Sequence, residues 1–405
     1  MSTFSELRSR DRLFIVAALL CLFLTTFPLA QGWIPIGDFI PRFIFLVLVA
    51  VLYSNLLFTI DGALLAMYFF YMVVCGAQSL DVSFMANVME QFLPLVLANY
   101  FLNKNNERQA KLLGIIMAIV SVFIMINSII IDFFHPDVIR AMVVIDAFEG
   151  VGAGHQYRMM GICLYSFAMI AMCLAPVILY LSKRMKHKRL LLLSFIVTCY
   201  FVYIAGITTC FLILVVMLVM YFVSAWNKMR FSVAILILIV LVTYSFGLVI
   251  VEFLLPYFEG TNFYGHLGGL LEFYGKTTMV TETYDVGERT DLYKYSIDTF
   301  INNPLFGNAR GNNGGHNFFL DHLAKMGLIG MTPFFIYMYR RFRMAYVFLS
   351  KEQRTVYLIC IIGFLILGFL KGMNGIDFWT YMFVYIPCML KLSDNETNLH
   401  LQHNS

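Results

Sequence analysis

Charge is what this chain has least of. Asp, Glu, Lys and Arg make up 13% of its 405 residues, against 60% hydrophobic residues and a mean hydropathy of +0.80. Soluble domains carry about a quarter charged residues, so a water-facing globule is excluded and a membrane protein is expected. A soluble domain hung on a single anchor is missing too. Apolar runs long enough to cross a bilayer recur from the first residues to the last, so residues 1–405 read as one integral membrane domain. The first run, "LFIVAALLCLFLTTFPLAQGW", has no small-residue cleavage site and reads as a retained helix rather than a signal peptide. The eight cysteines all fall in or beside apolar runs, which excludes a disulfide framework and a Cys/His metal site. There is no basic and aromatic stretch of the kind that binds nucleic acid, and no glycine-rich phosphate loop. Asp-x-Asp and dense carboxylate clusters are also absent, so no metal and no other cofactor is expected.

What is present is an ordered succession of spans. About twelve all-α transmembrane helices are expected, starting near residues 13, 42, 62, 83, 112, 159, 190, 208, 231, 317, 355 and 378. Arg8, Arg10 and Arg12 precede the first; "NKNNERQAK", "KRMKHKR", "NKMR" and "RRFRMAYVFLSKEQR" each follow an even-numbered span. By the positive-inside rule both termini are cytoplasmic. Two long loops, 133–158 and 255–316, then lie on the opposite, periplasmic side.

Loop 255–316 is the one large polar insertion, and long loops between packed elements are usually functional. Within it Asp285 and Glu288 fit a capping box, and Leu292, Tyr293, Ile297, Phe300 and Ile301 fall at helical spacing; Pro304 ends that helix. "NPLFGNARGNNGG" follows at turn density and delivers the chain to His316, at the mouth of span ten. From there Leu320, Leu323, Gly327 and Gly330 fall on one stripe, where small residues would admit a neighbouring helix. Asp321, His322 and Lys325 lie on the other faces. They can be interfacial residues reaching water, with Asp321 and Lys325 an i, i+4 pair, or parts of a site.

The stretch "GERTDLYKYSIDTFINNPLFGNARGNNGGHNFFLDHLAKMGLIG" (287–330) resembles the signature region of the O-antigen ligase and polymerase superfamily of bacterial envelope enzymes. An arginine opens a loop helix, Asn-Pro-Leu-Phe-Gly and a glycine-rich approach follow, and His-Asn precedes Gly-Leu-Ile-Gly by nine residues. The resemblance covers about a tenth of the chain strongly, and the short approach to His-Asn looks more like the polymerases than the ligases. It implies a GT-C-like, metal-independent glycosyltransferase of the bacterial inner membrane, with its active site periplasmic. Such an enzyme takes a glycan from undecaprenyl diphosphate and passes it to the sugar hydroxyl of an acceptor glycan. The expected partners are that lipid-linked oligosaccharide, the acceptor, membrane lipids and a chain-length regulator protein, with no nucleic acid.

That chemistry implies roles for particular residues. A departing diphosphate needs cations that hold phosphate oxygens, and arginine does so with a planar fork that stays protonated. Arg158, Arg289 and Arg310 are the candidates on the periplasmic side, with Arg140 behind them. Each has an ordinary alternative: snorkelling for Arg158, pairing with Glu288 or Asp285 for Arg289, a turn position for Arg310. His316 is the candidate general base or orienting group for the acceptor hydroxyl. Asn317, Asp321 and His322 are candidate orienting residues, although asparagine at a helix start is also a common cap. One departure stands out. Where many superfamily members carry an arginine, this chain has Thr208, Thr209 and Cys210. Two further readings remain open: an O-antigen ligase with lipid A-core as acceptor, and a lipid-linked oligosaccharide flippase or transporter. The scarcity of mid-span charges and of internal repeats weighs against a transporter.

Overall fold

The computed structural model describes residues 9–33, 39–79, 91–136, 138–139, 159–163, 166–226, 286–310, 314–315, 317–373 and 376–394, with short pieces between 252 and 271. Among them all regular structure is helical and there is no strand. In chain order the helices are α1 (Ser9–Thr26), α2 (Pro28–Trp33), α3 (Phe39–Leu52), α4 (Ser54–Leu57), α5 (Ile60–Ser79), α6 (Phe92–Phe101), α7 (Glu107–Phe134), α8 (Ser166–Arg184), α9 (Lys188–Ile204), α10 (Thr208–Trp226), α11 (Val286–Asn302), α12 (Phe318–Phe348), α13 (Lys351–Leu370) and α14 (Ile376–Thr380). A π-helical turn, Tyr381–Tyr385, leads into α15 (Ile386–Leu390).

Among the described residues three segments are long and apolar enough to cross a membrane: Lys104–Phe134, Phe167–Arg184 and Lys351–Leu370. Ile40–Leu52, Ile60–Gly76, Phe92–Phe101 and Thr208–Ser224 are apolar but shorter. The helix at the expected tenth span runs 31 residues but is broken at Gly327. The expected ninth span and most of both long loops lie outside the described residues.

The chain divides into two compact units within what hydropathy treats as one membrane domain. The first comprises residues 1–205, 332–357 and 374–405; the second comprises 206–331 and 358–373.

In the first unit α8 is almost wholly buried and pairs along its length with α9. The end of the chain packs beside it through a dense aromatic group in which Trp379, Tyr381 and Tyr385 are fully enclosed. Close packing needs a small residue where α7 meets α15: a Cβ on Gly114 would lie 2.5 Å from the Cys388 carbonyl oxygen. The buried stripe of α7 is Ala110, Leu113, Met117, Ile124 and Met125. Its opposite stripe is just as apolar, with Ile115, Ile119, Phe123, Ile126 and Ile130 all exposed. Leu13, Val16, Leu20 and Phe23 do the same on α1. A helix that is apolar on both its buried and its open face is suited to lipid rather than water.

The second unit contains α10, α11, the first part of α12 and most of α13. Small residues again set the approach of its elements. A Cβ on Gly363 would meet the Met217 sulfur at 2.3 Å, and one on Gly368 the Phe319 ring at 2.4 Å, the kind of contact that packs helices tightly without help from water.

Candidate functional site

The amphipathic loop helix α11 folds where the capping and stripe pattern predict, from Val286 to Asn302, but only part of its stripe turns inward: Leu292, Tyr293 and Phe300 are half-buried. Ile297 and Ile301 are 40% and 64% exposed, whereas Ser296 is fully buried. The reason is polar. Ser296 Oγ donates to Asp321 Oδ1 at 2.5 Å and accepts from the Gly314 backbone N–H at 3.0 Å. Two bonds to a buried hydroxyl outweigh the gain from turning two isoleucines inward, since leaving Asp321 without its donor would cost more.

Asp321 is itself 8% exposed and uses both oxygens. The second, Oδ2, accepts from the Asn317 N–H at 2.8 Å. The Asn317 side chain is bonded at both ends. Oδ1 accepts from Leu320 N at 3.0 Å, capping α12, and Nδ2 donates to the Phe369 carbonyl. The last carbonyls of α13 would otherwise lack partners. Besides Asn317 they receive the Tyr293 hydroxyl, on Leu370 at 3.0 Å, and the adjoining Lys371 carbonyl receives the Phe318 N–H at 3.1 Å. Gly314, Asn317 and Phe318 are therefore tied to α11, α12 and the end of α13 by buried or half-buried bonds.

A second tie lies farther along α12. The stripe containing Gly327 was expected to face a neighbouring helix; what approaches it is the loop. Gly327 has φ +64° and ψ −174°, which interrupts the helix, and a Cβ there would lie 2.4 Å from the Leu305 carbonyl oxygen. Gly307, at φ +69°, abuts it, with a virtual Cβ 2.5 Å from Gly327 N. Both positions need glycine for backbone conformation and for space. The break frees N–H groups in α12, and the loop supplies acceptors: Leu328 N bonds Pro304 O at 2.8 Å and Ile329 N bonds Leu305 O at 3.0 Å. In return Asn308 N donates to Ala324 O at 2.8 Å. The Pro304–Gly307 turn is thus inserted into the hydrogen-bond ladder of α12, a recognised cause of a kink.

The other candidate residues fall as follows. His322 Nδ1 lies 2.7 Å from the Phe318 carbonyl, and its ring lies against that of Phe318 at 4.2 Å. A carbonyl only accepts, so Nδ1 carries the proton and Nε2 is the basic nitrogen. Arg310 is exposed in a turn whose backbone N–H bonds the Asn308 side chain at 3.2 Å. Arg289 stands in the first turn of α11; its side chain, like all of His316, Arg158 and Arg140, lies outside the described residues. Gly314 and Asn317, on either side of His316, are both held.

Three contributors escaped sequence reasoning. Ser296 and Tyr293 sit on an apolar helix face, and nothing local marks a hydroxyl there as a bond donor to Asp321 or Leu370. Lys371 follows α13 and lies within electrostatic reach of Cys210, at the place where the resemblance calls for an arginine. Two residues before Cys210, Thr208 Oγ1 is buried with no hydrogen-bond partner among the described residues. No group of three His, Cys, Asp or Glu side chains suited to a metal occurs among the described residues. Compared with known proteins, the chain matches no family model and no curated protein.

Proposed function

We propose that this chain is a polysaccharide polymerase of the O-antigen ligase and polymerase superfamily, acting on O-antigen or capsular repeat units at the periplasmic face of the bacterial inner membrane. On this reading about twelve spans place both termini in the cytoplasm. The supporting observation is the convergence of the motif's scattered pieces. Asn-Pro-Leu-Phe-Gly is bonded into the Gly-Leu-Ile-Gly break of α12, and Gly314 and Asn317, before and after His316 in sequence, are bonded to Ser296 and Asp321. A loop wired in this way can hold a catalytic group still, which is the main source of rate when two large substrates must be aligned.

In the reaction the acceptor hydroxyl attacks the anomeric carbon of the donor glycan. The bond from that carbon to the diphosphate breaks, its electron pair leaves with undecaprenyl diphosphate, and configuration inverts once. His316 takes the hydroxyl proton, a role suited to a group that titrates near neutrality. Arg289, Arg158 and Arg310 bind the diphosphate oxygens as charge builds on them. Asn317 and Asp321 position the backbone around His316 rather than touching the acceptor.

Complementation of a strain lacking its surface-glycan polymerase tests this. Wild type restores long glycan ladders; His316→Ala and Arg289→Ala insert normally but leave only a single repeat on lipid A-core. Loss of all repeats from the core, with polymer kept on the carrier lipid, would instead indicate the ligase. Full ladders from both variants would overturn the glycosyltransferase reading and bring the transporter forward.

A further inference from the structure

The first unit contains a concentration of positive charge that the proposed glycan chemistry does not use. A cavity of about 410 Å³, within the roughly 300–1,000 Å³ range of small-molecule sites, is lined by Asp61, Lys104, Arg340, Arg341 and Arg343, with Val347 on its apolar wall. Arg341 is 4% exposed. It is fixed by an ion pair to Asp61 and by donation from Nη1 to Asn99 Oδ1 at 2.6 Å, while its Nε is buried with no hydrogen-bond partner among the described residues.

Asp61 cannot balance this group. Its other oxygen already pairs with Arg340 Nε, so both of its oxygens are taken. Arg343 and Lys104 are exposed and have no carboxylate partner among the described residues. Four cations thus face one carboxylate in a single open concavity. Asp61 and Asn99 act as a clamp that aims Arg341 instead of neutralising the cavity.

We propose that this cavity binds a phosphate group through Arg341, Arg343 and Lys104. Phosphate matches both the charge and the forked geometry of paired guanidinium groups. The exposed Val347 beside the cations suits a phosphate carried on a lipid headgroup. Lys104 and Arg340–Arg343 belong to two of the basic loops expected at the cytoplasmic surface, where anionic lipids attract such clusters. Free phosphate presents the same chemistry.

The experiment is thermal unfolding of the purified full-length protein in neutral detergent with added phosphatidylglycerol, phosphatidylcholine, inorganic phosphate, or sodium chloride at matched ionic strength. The proposal expects phosphatidylglycerol, inorganic phosphate or both to raise the midpoint, and phosphatidylcholine and chloride to leave it unchanged. In the Lys104→Ala/Arg343→Ala protein, whose replaced side chains are exposed, the rise falls by at least half. A response to phosphatidylglycerol alone assigns the phosphate to a lipid; a response to inorganic phosphate assigns a soluble one. No rise with either anion, an equal rise with phosphatidylcholine or chloride, or an undiminished rise in the double variant overturns the proposal.

Discussion

Ser296→Ala is the sharpest probe of the bonded loop. The change removes one oxygen and leaves two polar groups without their partner, Asp321 Oδ1 and Gly314 N. A hydrogen bond to a charged group contributes about 1.5–3 kcal/mol and a neutral one about 0.5–1.5 kcal/mol. Asp321 is buried, so the larger figure applies to it; Gly314 is half-buried and water can reach it, so the smaller figure applies there. The expected loss is roughly 2–4 kcal/mol. The entropy of unfolding grows with length at about 2.1 cal/mol/K per residue, so for a chain of 405 residues each kcal/mol moves the midpoint by about 1 °C and the expected drop is roughly 2–5 °C. Asp321→Ala removes the Asn317 bond as well and should cost more. Because the two residues share a bond, the double variant should be less destabilised than the sum of the singles by about 1 kcal/mol or more. Thermal unfolding in detergent measures all three proteins. The same loosening should lower polymer synthesis by about 10–100-fold, because a misplacement of about 1 Å at a catalytic group has that consequence. A Ser296→Ala protein that unfolds within a degree of wild type, or costs that simply add, would refute the view that this network holds the segment around His316.

Gly327→Ala places a Cβ 2.4 Å from the Leu305 carbonyl at a positive φ, so it should destabilise by at least about 3 kcal/mol; limited proteolysis of the loop in membranes would report it as faster cleavage. Tyr293→Phe deletes one exposed bond to Leu370 and should cost only about 0.5–1.5 kcal/mol, with ladders near wild type in length. Asp61→Ala strands the buried Arg341 and should cost about 3–5 kcal/mol, read as loss of folded protein on size-exclusion chromatography. If Lys371 contacts the donor, Lys371→Ala should shorten ladders while Lys371→Arg retains them; equal ladders from both would exclude it.

The sequence by itself determined the class of protein and the location of its most structured loop. Scarce charge and recurrent apolar runs dictate an all-helical chain suited to lipid, and periodicity placed α11 and its end before Pro304 because both depend on neighbours in sequence. Tertiary structure decided which face of α11 is buried. Ile297 and Ile301 satisfy a helical stripe, yet the choice rests with Ser296, whose partner Asp321 stands twenty-five residues away. It likewise decided what Gly327 is for. A small residue signals only that something comes close; that the visitor is the Pro304–Gly307 turn, entering a broken helix, follows from hydrogen bonds between segments no local pattern connects. The pairing of Asp61 with Arg340 and Arg341 is more distant still, across 279 residues for the Arg340 bond. Helices form from local period and apolar content, whereas buried polar groups must find partners wherever the folded chain brings them.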